Sequence, residues 1–284
     1  MKLITYSLDG AVRIGSTDGE KVCDLTARLS SHPQTMIELI EQWDMVHEEA
    51  AGIDTYDHDL SAVQLHAPIP RPGKIYALGL NYGDHLAEAG RQPEAFPTWF
   101  TKPGTSVTGP FDPVERPNVS EKLDYEVELV FVIGKRCKHV DVAEAEKVIF
   151  GYCVGNDVSV RDWQLRTSQF VIGKSFDTHA PFGPWIQTAD GIDSSNLELR
   201  MLVNGEERQH SNTRHMIFNC AAQIADLSKA MTLESGDIIF TGTPSGVGGA
   251  MRPQIWLKPG DYMRAEIEGI GAIENVVIEE GSGR

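Results

Sequence analysis

Three acids alternate along the run LDYEVELVFVIGK: Asp124, Glu126 and Glu128. Strand side chains alternate faces with a period of two, so these acids share one side while Tyr125, Val127, Leu129, Phe131 and Ile133 take the other. Beyond Glu128 the acidic side continues as Val130 and Val132, and both sides then read as interior. Carboxylates on such a face are costly unless paired or bound to a cation. The other reading is a solvated face whose later half happens to be apolar. A fourth acid, Asp157, ends the apolar run VIFGYCVGN and heads VSVRDWQ. As a turn or cap residue it needs no partner. Joined to Glu126 and Glu128, it completes an all-oxygen set suited to Mg²⁺, Mn²⁺ or Ca²⁺ rather than zinc. In LNYGDHLAEAG, His85 and Glu88 stand three apart in an expected helical turn and share a face. A carboxylate beside an imidazole orients it and raises its basicity, as a general base requires. On an exposed helix the same pair would be surface decoration.

The elements that must position these groups are mostly strands. MKLITY, AVRIGS and KVCDL form a small leading β unit, and TMIELIEQWDMVHEEA has helical apolar spacing through Met36, Leu39, Ile40, Trp43 and Val46. The prolines of HAPIPRPGK mark a stiff connector and a boundary between residues 1–70 and 71–284. Beyond it, KIYALGL, YEVELVFVIG, VIFGYCVG, LELRMLVNG, GDIIFTG, YMRAEIEG and AIENVVIE read as strands, with a hairpin turn at Asn204-Gly205. Two helices are expected, one capped by Asp141 and one from near Asn212 through HMIFNCAAQIADLSKAM. The order has no regular βαβ alternation, so the fold class is mainly β with few helices, not a dinucleotide-binding sheet.

Composition narrows the partners. The chain has 284 residues, 41% hydrophobic and 23% charged, with a formal net charge of -16. Such acidity repels phosphate backbones and anionic membranes, which points away from nucleic-acid and membrane partners. It leaves an anionic small substrate open, because a bound cation can invert the sign of a pocket. The cysteines at 23, 137, 153 and 220 form no CxxC pair, and MKLITYSLDG has too short an apolar run for a signal peptide. The expectation is a cytoplasmic protein. VIGKS lacks the earlier P-loop glycine because residue 168 is Ser, and TGTPSGVGG lacks the GxSxG spacing of a nucleophile elbow. Cys137 and His139 have no second pair of zinc ligands at a sensible spacing.

LNYGDHLAEAG, DYEVEL, GNDVSVRDWQ, GKSFDTHAPFGPW and TGTPSGVG, in this order over residues 72–284, resemble the fumarylacetoacetate hydrolase family. Within that family the chain looks like a bacterial acylpyruvate hydrolase or 2-hydroxyhepta-2,4-diene-1,7-dioate isomerase-like member. The resemblance implies a mixed β-sandwich roll behind a small N-terminal α+β domain, assembled as a homodimer. It implies Mg²⁺ or Mn²⁺ on Glu126, Glu128 and Asp157, with Asp124 structural or supporting. It assigns His85 and Glu88 to water activation, Lys174 to the reacting oxygens, and Arg161, Gln164 and Thr243 to the substrate. The implied reaction is cleavage of a C–C bond in an acylpyruvate-like 2,4-dioxo acid through a metal-stabilised enolate, a route within aromatic catabolism. The same parts serve a decarboxylase of oxaloacetate-like acids or an isomerase of 2-hydroxy-dienoates, and the His–Glu pair tilts the reading to hydrolysis. A non-catalytic metal-binding protein of this fold would not need His85, Glu88 and Lys174. Residues 91–100, RQPEAFPTWF, read either as a lid or as a loop packed on the core.

Overall fold

The computed structural model describes residues 1–88, 90, 92 and 95–282. Strand Val127–Ile133 runs antiparallel to Ile149–Asn156 on one side and to Ile238–Phe240 on the other. These strands belong to a 12-stranded mixed sheet. Ile149–Asn156 pairs onward with Ala180–Thr188, which pairs with Lys2–Leu8 through Lys2↔Gln187 and Leu3↔Ile186. Ile238–Phe240 pairs onward, in parallel, with Ile75–Gly79. A separate five-stranded sheet contains Glu206–Asn212, Glu198–Val203, Tyr262–Ile267, Gly271–Glu279 and Val114–Arg116.

The central strand is covered on both faces, because its two faces enter different cores. Val127, Leu129, Phe131 and Ile133 pack with Leu199, Met201, Met263 and Ile273 of the five-stranded sheet and with Ile224 of helix Cys220–Ala230. Val130 and Val132 pack with Leu39 and Ile40 of helix Met36–Ala51, and with Leu3, Ile14 and Phe240. That N-terminal helix starts where expected: Thr35 accepts the amide of Glu38, and the Glu38 carboxylate accepts the amide of Gln34. Among the described residues no helix is long and apolar enough to cross a membrane.

Three expectations about elements need correction. The acidic strand is not continuous. Leu123–Asp124 pairs with Ser159–Val160, and the long ladder starts only at Val127. Between them, side chains replace the ladder: the Glu126 amide donates to Asn156 Oδ1 at 2.9 Å and the Val127 amide to Gln209 Oε1 at 2.9 Å. The helix after Asp141 is one turn, Val142–Ala145, then a 3-10 turn, and Asp141 makes no side-chain cap. The sheet takes Ile149 into register with Ile133 and ends it there. The later helix begins at Cys220, capped by Asn219, instead of near Asn212. The intervening chain is held elsewhere, since the amides of Ile217 and Phe218 donate to the backbone and side-chain oxygens of Asn81.

Within residues 91–100, positions 91, 93 and 94 lie outside the described residues, and the lid reading falls partly on them. Thr98–Thr101 is a strand antiparallel to Ile75–Gly79. Trp99 donates its indole N–H to Asp226 and Phe100 is buried, so these two aromatics belong to the sheet.

Candidate metal and active site

The break before Val127 places the acids at the entrance of a covered strand. Asp124, Glu126, Glu128 and Asp157 are all buried, each at most 5% exposed. One carboxylate oxygen from each of Glu126, Glu128 and Asp157 lies within 4.8 Å of the others. Asp157 reaches this point because the ladder Val127↔Asn156 ends beside it and its amide donates to the Glu126 carbonyl.

Cations surround this floor. Lys174 Nζ, also buried, donates to Glu126 Oε2 and Asp157 Oδ2, both at 2.7 Å. Lys102 Nζ donates to Asp157 Oδ1 at 2.6 Å and to the Lys174 carbonyl. Arg161 Nη1 donates to Glu126 Oε1 at 2.6 Å and to Gln164 Oε1 at 2.9 Å, while its Nε donates to Asp124 Oδ2 at 2.7 Å. Burial opposes the charge of Glu126, but Lys174 and Arg161 outweigh it and hold the carboxyl at about 2. Glu128 goes the other way: burial, then the charges of Asp157 and Glu126, push it well above the usual carboxylate range. That crowding of like charges is what a divalent cation relieves. Three inward carboxylates with oxygen donors only fit a hard cation such as Mg²⁺ or Mn²⁺, which Glu126, Glu128 and Asp157 would hold.

Asp124 stands apart from that triad. Its Oδ1 accepts the amides of Tyr125 and Gly248, and its Oδ2 those of Gly249 and Arg161 Nε. It therefore ties Arg161 to the glycine-rich loop after Ile238–Phe240. The same loop reaches two other acids, as the Gly242 amide donates to Glu128 Oε2 and the Gly246 amide to Glu88 Oε1. TGTPSGVGG, which the sequence marks only as a motif of the family resemblance with Thr243 toward the substrate, is the segment whose backbone amides reach Asp124, Glu128 and Glu88.

Helix Gly83–Glu88 carries the dyad. His85 Nδ1 and Glu88 Oε2 are 3.2 Å apart. Because a carboxylate can only accept, the neutral imidazole has its proton on Nδ1, leaving Nε2 as the basic atom. Ser245 donates to Asp84, so this short helix is fastened at both ends to the loop.

A cavity of about 370 Å³ joins these groups, with His85, Glu126, Arg161, Gln164, Lys174 and Thr243 among its lining residues. Arg161 Nη2 is buried there without a hydrogen-bond partner among the described residues, so an anionic ligand could use it. Thr243 spends its hydroxyl proton on the Val127 carbonyl and accepts from Gln209, which leaves only acceptor capacity on that oxygen. Gly173 allows Lys174 to sit against the Arg161–Gln164 turn, since a Cβ there would fall 2.1 Å from the Gln164 amide nitrogen. Sequence reasoning missed Lys102 and Gln209. A lone Lys in FTKPG and a lone Gln on a hairpin carry no spacing signal; only their burial distinguishes them.

A mixed β roll that gathers buried carboxylates, a His–Glu dyad and a cationic wall around one cavity has the make-up of an enzyme site. The family model for the C-terminal domain of fumarylacetoacetate hydrolase matches residues 74–278. The chain belongs to the fumarylacetoacetate hydrolase family, whose proteins are enzymes. It is 42% identical over 267 residues to a mitochondrial oxaloacetate tautomerase of Xenopus laevis, covering 92% of this chain and 84% of that protein. Among solved structures it resembles a maleylpyruvate hydrolase from Sphingobium sp. SYK-6 in complex with manganese(II) and pyruvate. That match has 33% identity and a TM-score of 0.83, over 98% of this chain and 99% of the other. A probable 2-hydroxyhepta-2,4-diene-1,7-dioate isomerase from Mycobacterium abscessus matches at 33% identity and TM-score 0.85, over 99% of both chains.

Proposed function

We propose that this enzyme is a divalent-metal-dependent hydrolase that cleaves the C3–C4 bond, between the methylene and the distal carbonyl, of an acylpyruvate-like 2,4-dioxo acid. The observation that carries the reading is the His85–Glu88 dyad opening into the same cavity as Glu126 and Lys174. Arg161 Nη2 binds the substrate carboxylate, and Gln164, whose oxygen is held by Arg161, turns its amide N–H to it. His85 Nε2 takes a proton from water, Glu88 stabilises the imidazolium, and the hydroxide adds to the distal carbonyl. The C–C bond breaks with its electron pair on the 2-oxo fragment, which is reprotonated at carbon to pyruvate as the acyl part leaves as an acid. Lys174 spends two of its three hydrogens on Glu126 and Asp157 and offers the third to the oxygen where charge develops. When bound, a divalent cation supplies Lewis acidity for that charge. The manganese in the maleylpyruvate hydrolase structure supports this assignment.

A second reading rests on the 42% identical relative named as an oxaloacetate tautomerase. There His85 would take its proton from carbon 3 of oxaloacetate, and the proton would return to the keto oxygen. The two readings separate by product. Metal-stripped protein is assayed with acetylpyruvate and oxaloacetate, with and without Mg²⁺ or Mn²⁺. Metal-dependent release of acetate and pyruvate supports hydrolysis. Acceleration of keto–enol exchange in oxaloacetate, with no acetate from acetylpyruvate, replaces it with tautomerisation. Glu88→Gln should lower turnover by about 10²-fold or more while divalent-cation affinity, read by calorimetry, is retained. Full activity in that variant removes the dyad from the mechanism.

A further inference from the structure

Glu126 and Glu128 are separated only by Val127, so whatever holds Val127 sets how the two carboxylates stand to each other. The ladder to Ile238–Phe240 stops at Val130↔Phe240. Beyond it two hydroxyls take over, Thr241 donating to the Leu129 carbonyl and Thr243 to the Val127 carbonyl, both at 2.9 Å. The Val127 amide is met by a side chain from the other sheet, Gln209, whose Oε1 accepts it at 2.9 Å. Gln209 Nε2 donates in turn to Thr243 Oγ1 at 2.8 Å and to the Pro244 carbonyl at 2.9 Å. Its orientation is fixed, because the Val127 amide can only donate and the Pro244 carbonyl can only accept. Val127, Gln209 and Thr243 therefore close a ring of hydrogen bonds that uses both hydrogens of the Gln209 amide.

The chain is bent to bring Gln209 there. Strand Glu206–Asn212 pairs Gln209 with Met201 and Glu207 with Leu202, so Arg208 is an extra residue, a bulge that re-aims the side chain after it. The glycine-rich loop closes on the same point. Gly246, at a φ of +102°, passes so near that a Cβ would fall 2.0 Å from the Arg208 carbonyl oxygen. Gln209 itself is 1% exposed and does not line the cavity.

We propose that Gln209 is a positioning residue for the divalent cation: acting through Val127, it fixes the spacing at which Glu126 and Glu128 meet the ion. The proposal rests on the metal reading of the carboxylate triad. The Glu126 amide is tied to Asn156 Oδ1, and Glu128 Oε2 to the Gly242 amide, so Val127 is the joint between two anchored acids. Mg²⁺ demands near-ideal geometry with bonds of about 2.1 Å. A joint free to shift by more than about 0.2 Å spoils that fit.

Calorimetric titration of the full chain with Mg²⁺, and with Mn²⁺ in parallel, tests this in wild type, Gln209→Met, Thr243→Val and the double variant. Thermal unfolding of each cation-free protein is measured beside it. Met keeps the length of Gln without its hydrogen bonds, and Val keeps the shape of Thr. Gln209→Met should weaken cation binding by roughly 10-fold or more. Thr243→Val, which opens the same ring at another corner, should do likewise. The double variant should be little worse than either, because one ring is broken only once. Lost stability alone would lower the melting temperature and leave the affinity of the folded chain unchanged, so the two measurements separate positioning from support. Wild-type affinity in Q209M overturns the proposal while the metal reading stands; should Q209M not fold, wild-type affinity in T243V does the same. Losses that multiply in the double variant make the two residues independent and overturn the ring. Failure of the wild type to bind either cation overturns the metal reading itself, and this proposal with it.

Discussion

Asp124 carries the sharpest structural prediction, because its four hydrogen bonds fill all the acceptor positions of a carboxylate. Asp124→Asn keeps the size and removes the charge. However the amide turns, its NH₂ faces two N–H donors: either Tyr125 and Gly248, or Gly249 and Arg161. At a fully buried site, removing one partner of an ion pair costs about 3–5 kcal/mol. Arg161 keeps Glu126 at 2.6 Å, which places the loss toward the lower end. A loss of ~3 kcal/mol lowers Tm by roughly 6–12 °C in a chain of this order of size. The kinetic effect should fall mainly on KM, since Arg161 loses the bond that aims its free Nη2. Because Asp124 lies outside the carboxylate triad, cation affinity should stay within about threefold of wild type, less than 1 kcal/mol. Thermal unfolding, steady-state kinetics and calorimetric Mg²⁺ titration read the three effects. A variant melting within about 1 °C of wild type would refute the buried-pair argument, and a large loss of cation affinity would make Asp124 a ligand.

Lys102→Met should cost a similar ~3–5 kcal/mol without divalent cation, because it leaves Asp157 Oδ1 buried without its 2.6 Å partner. Saturating Mg²⁺ then gives Asp157 a new counter-charge, so the Mg²⁺-induced rise in Tm should exceed that of wild type; an equal or smaller rise contradicts the pairing. His179 is buried, with Nε2 on the Glu115 carbonyl, and burial pushes it down to about 3 from 6.5. Its folded value lies below its unfolded one. The stability it contributes is therefore complete above pH 6.5 and is lost toward pH 3, at roughly 1.4 kcal/mol per pH unit. Denaturant titrations across that window should show a shallower acid slope in His179→Gln, and an unchanged slope would remove His179 as the cause.

The residues that could be read from sequence share one property: their pattern forces an environment. Alternating acids that give way to Val130 and Val132 imply a face that turns from polar to interior. The structure explains this by two cores, one under Phe131 and one under Val132. The His85–Glu88 spacing works in the same way, since three residues on a helix fix a distance before any fold is known. Many of the strands beside them were legible for the same reason, among them Lys2–Leu8 and Gly271–Glu279, but Ala180–Thr188, interrupted by Gly183-Pro184, was not.

What stayed hidden depends on contacts between segments far apart in the chain. Asn212 and Asp141 have the chemistry of helix caps, but Asn212 caps only the 3-10 turn Thr213–His215 and Asp141 makes no side-chain cap. The segments after them are captured by Asn81 in one case and by the strand Ile149–Asn156 in the other. Local preference loses there because a helix start is worth only about 1 kcal/mol, less than the buried pairing that competes with it. Lys102 lies 55 residues from Asp157 and the Gly248 amide 124 from Asp124. No period or spacing connects such partners, and their side-chain types are common. The glycine-rich loop is the clearest case. Its function lies in backbone N–H groups delivered to Glu88, Asp124 and Glu128, and every residue but proline carries such a group. Composition could mark that loop as a turn, but only the fold decides which acids its amides meet.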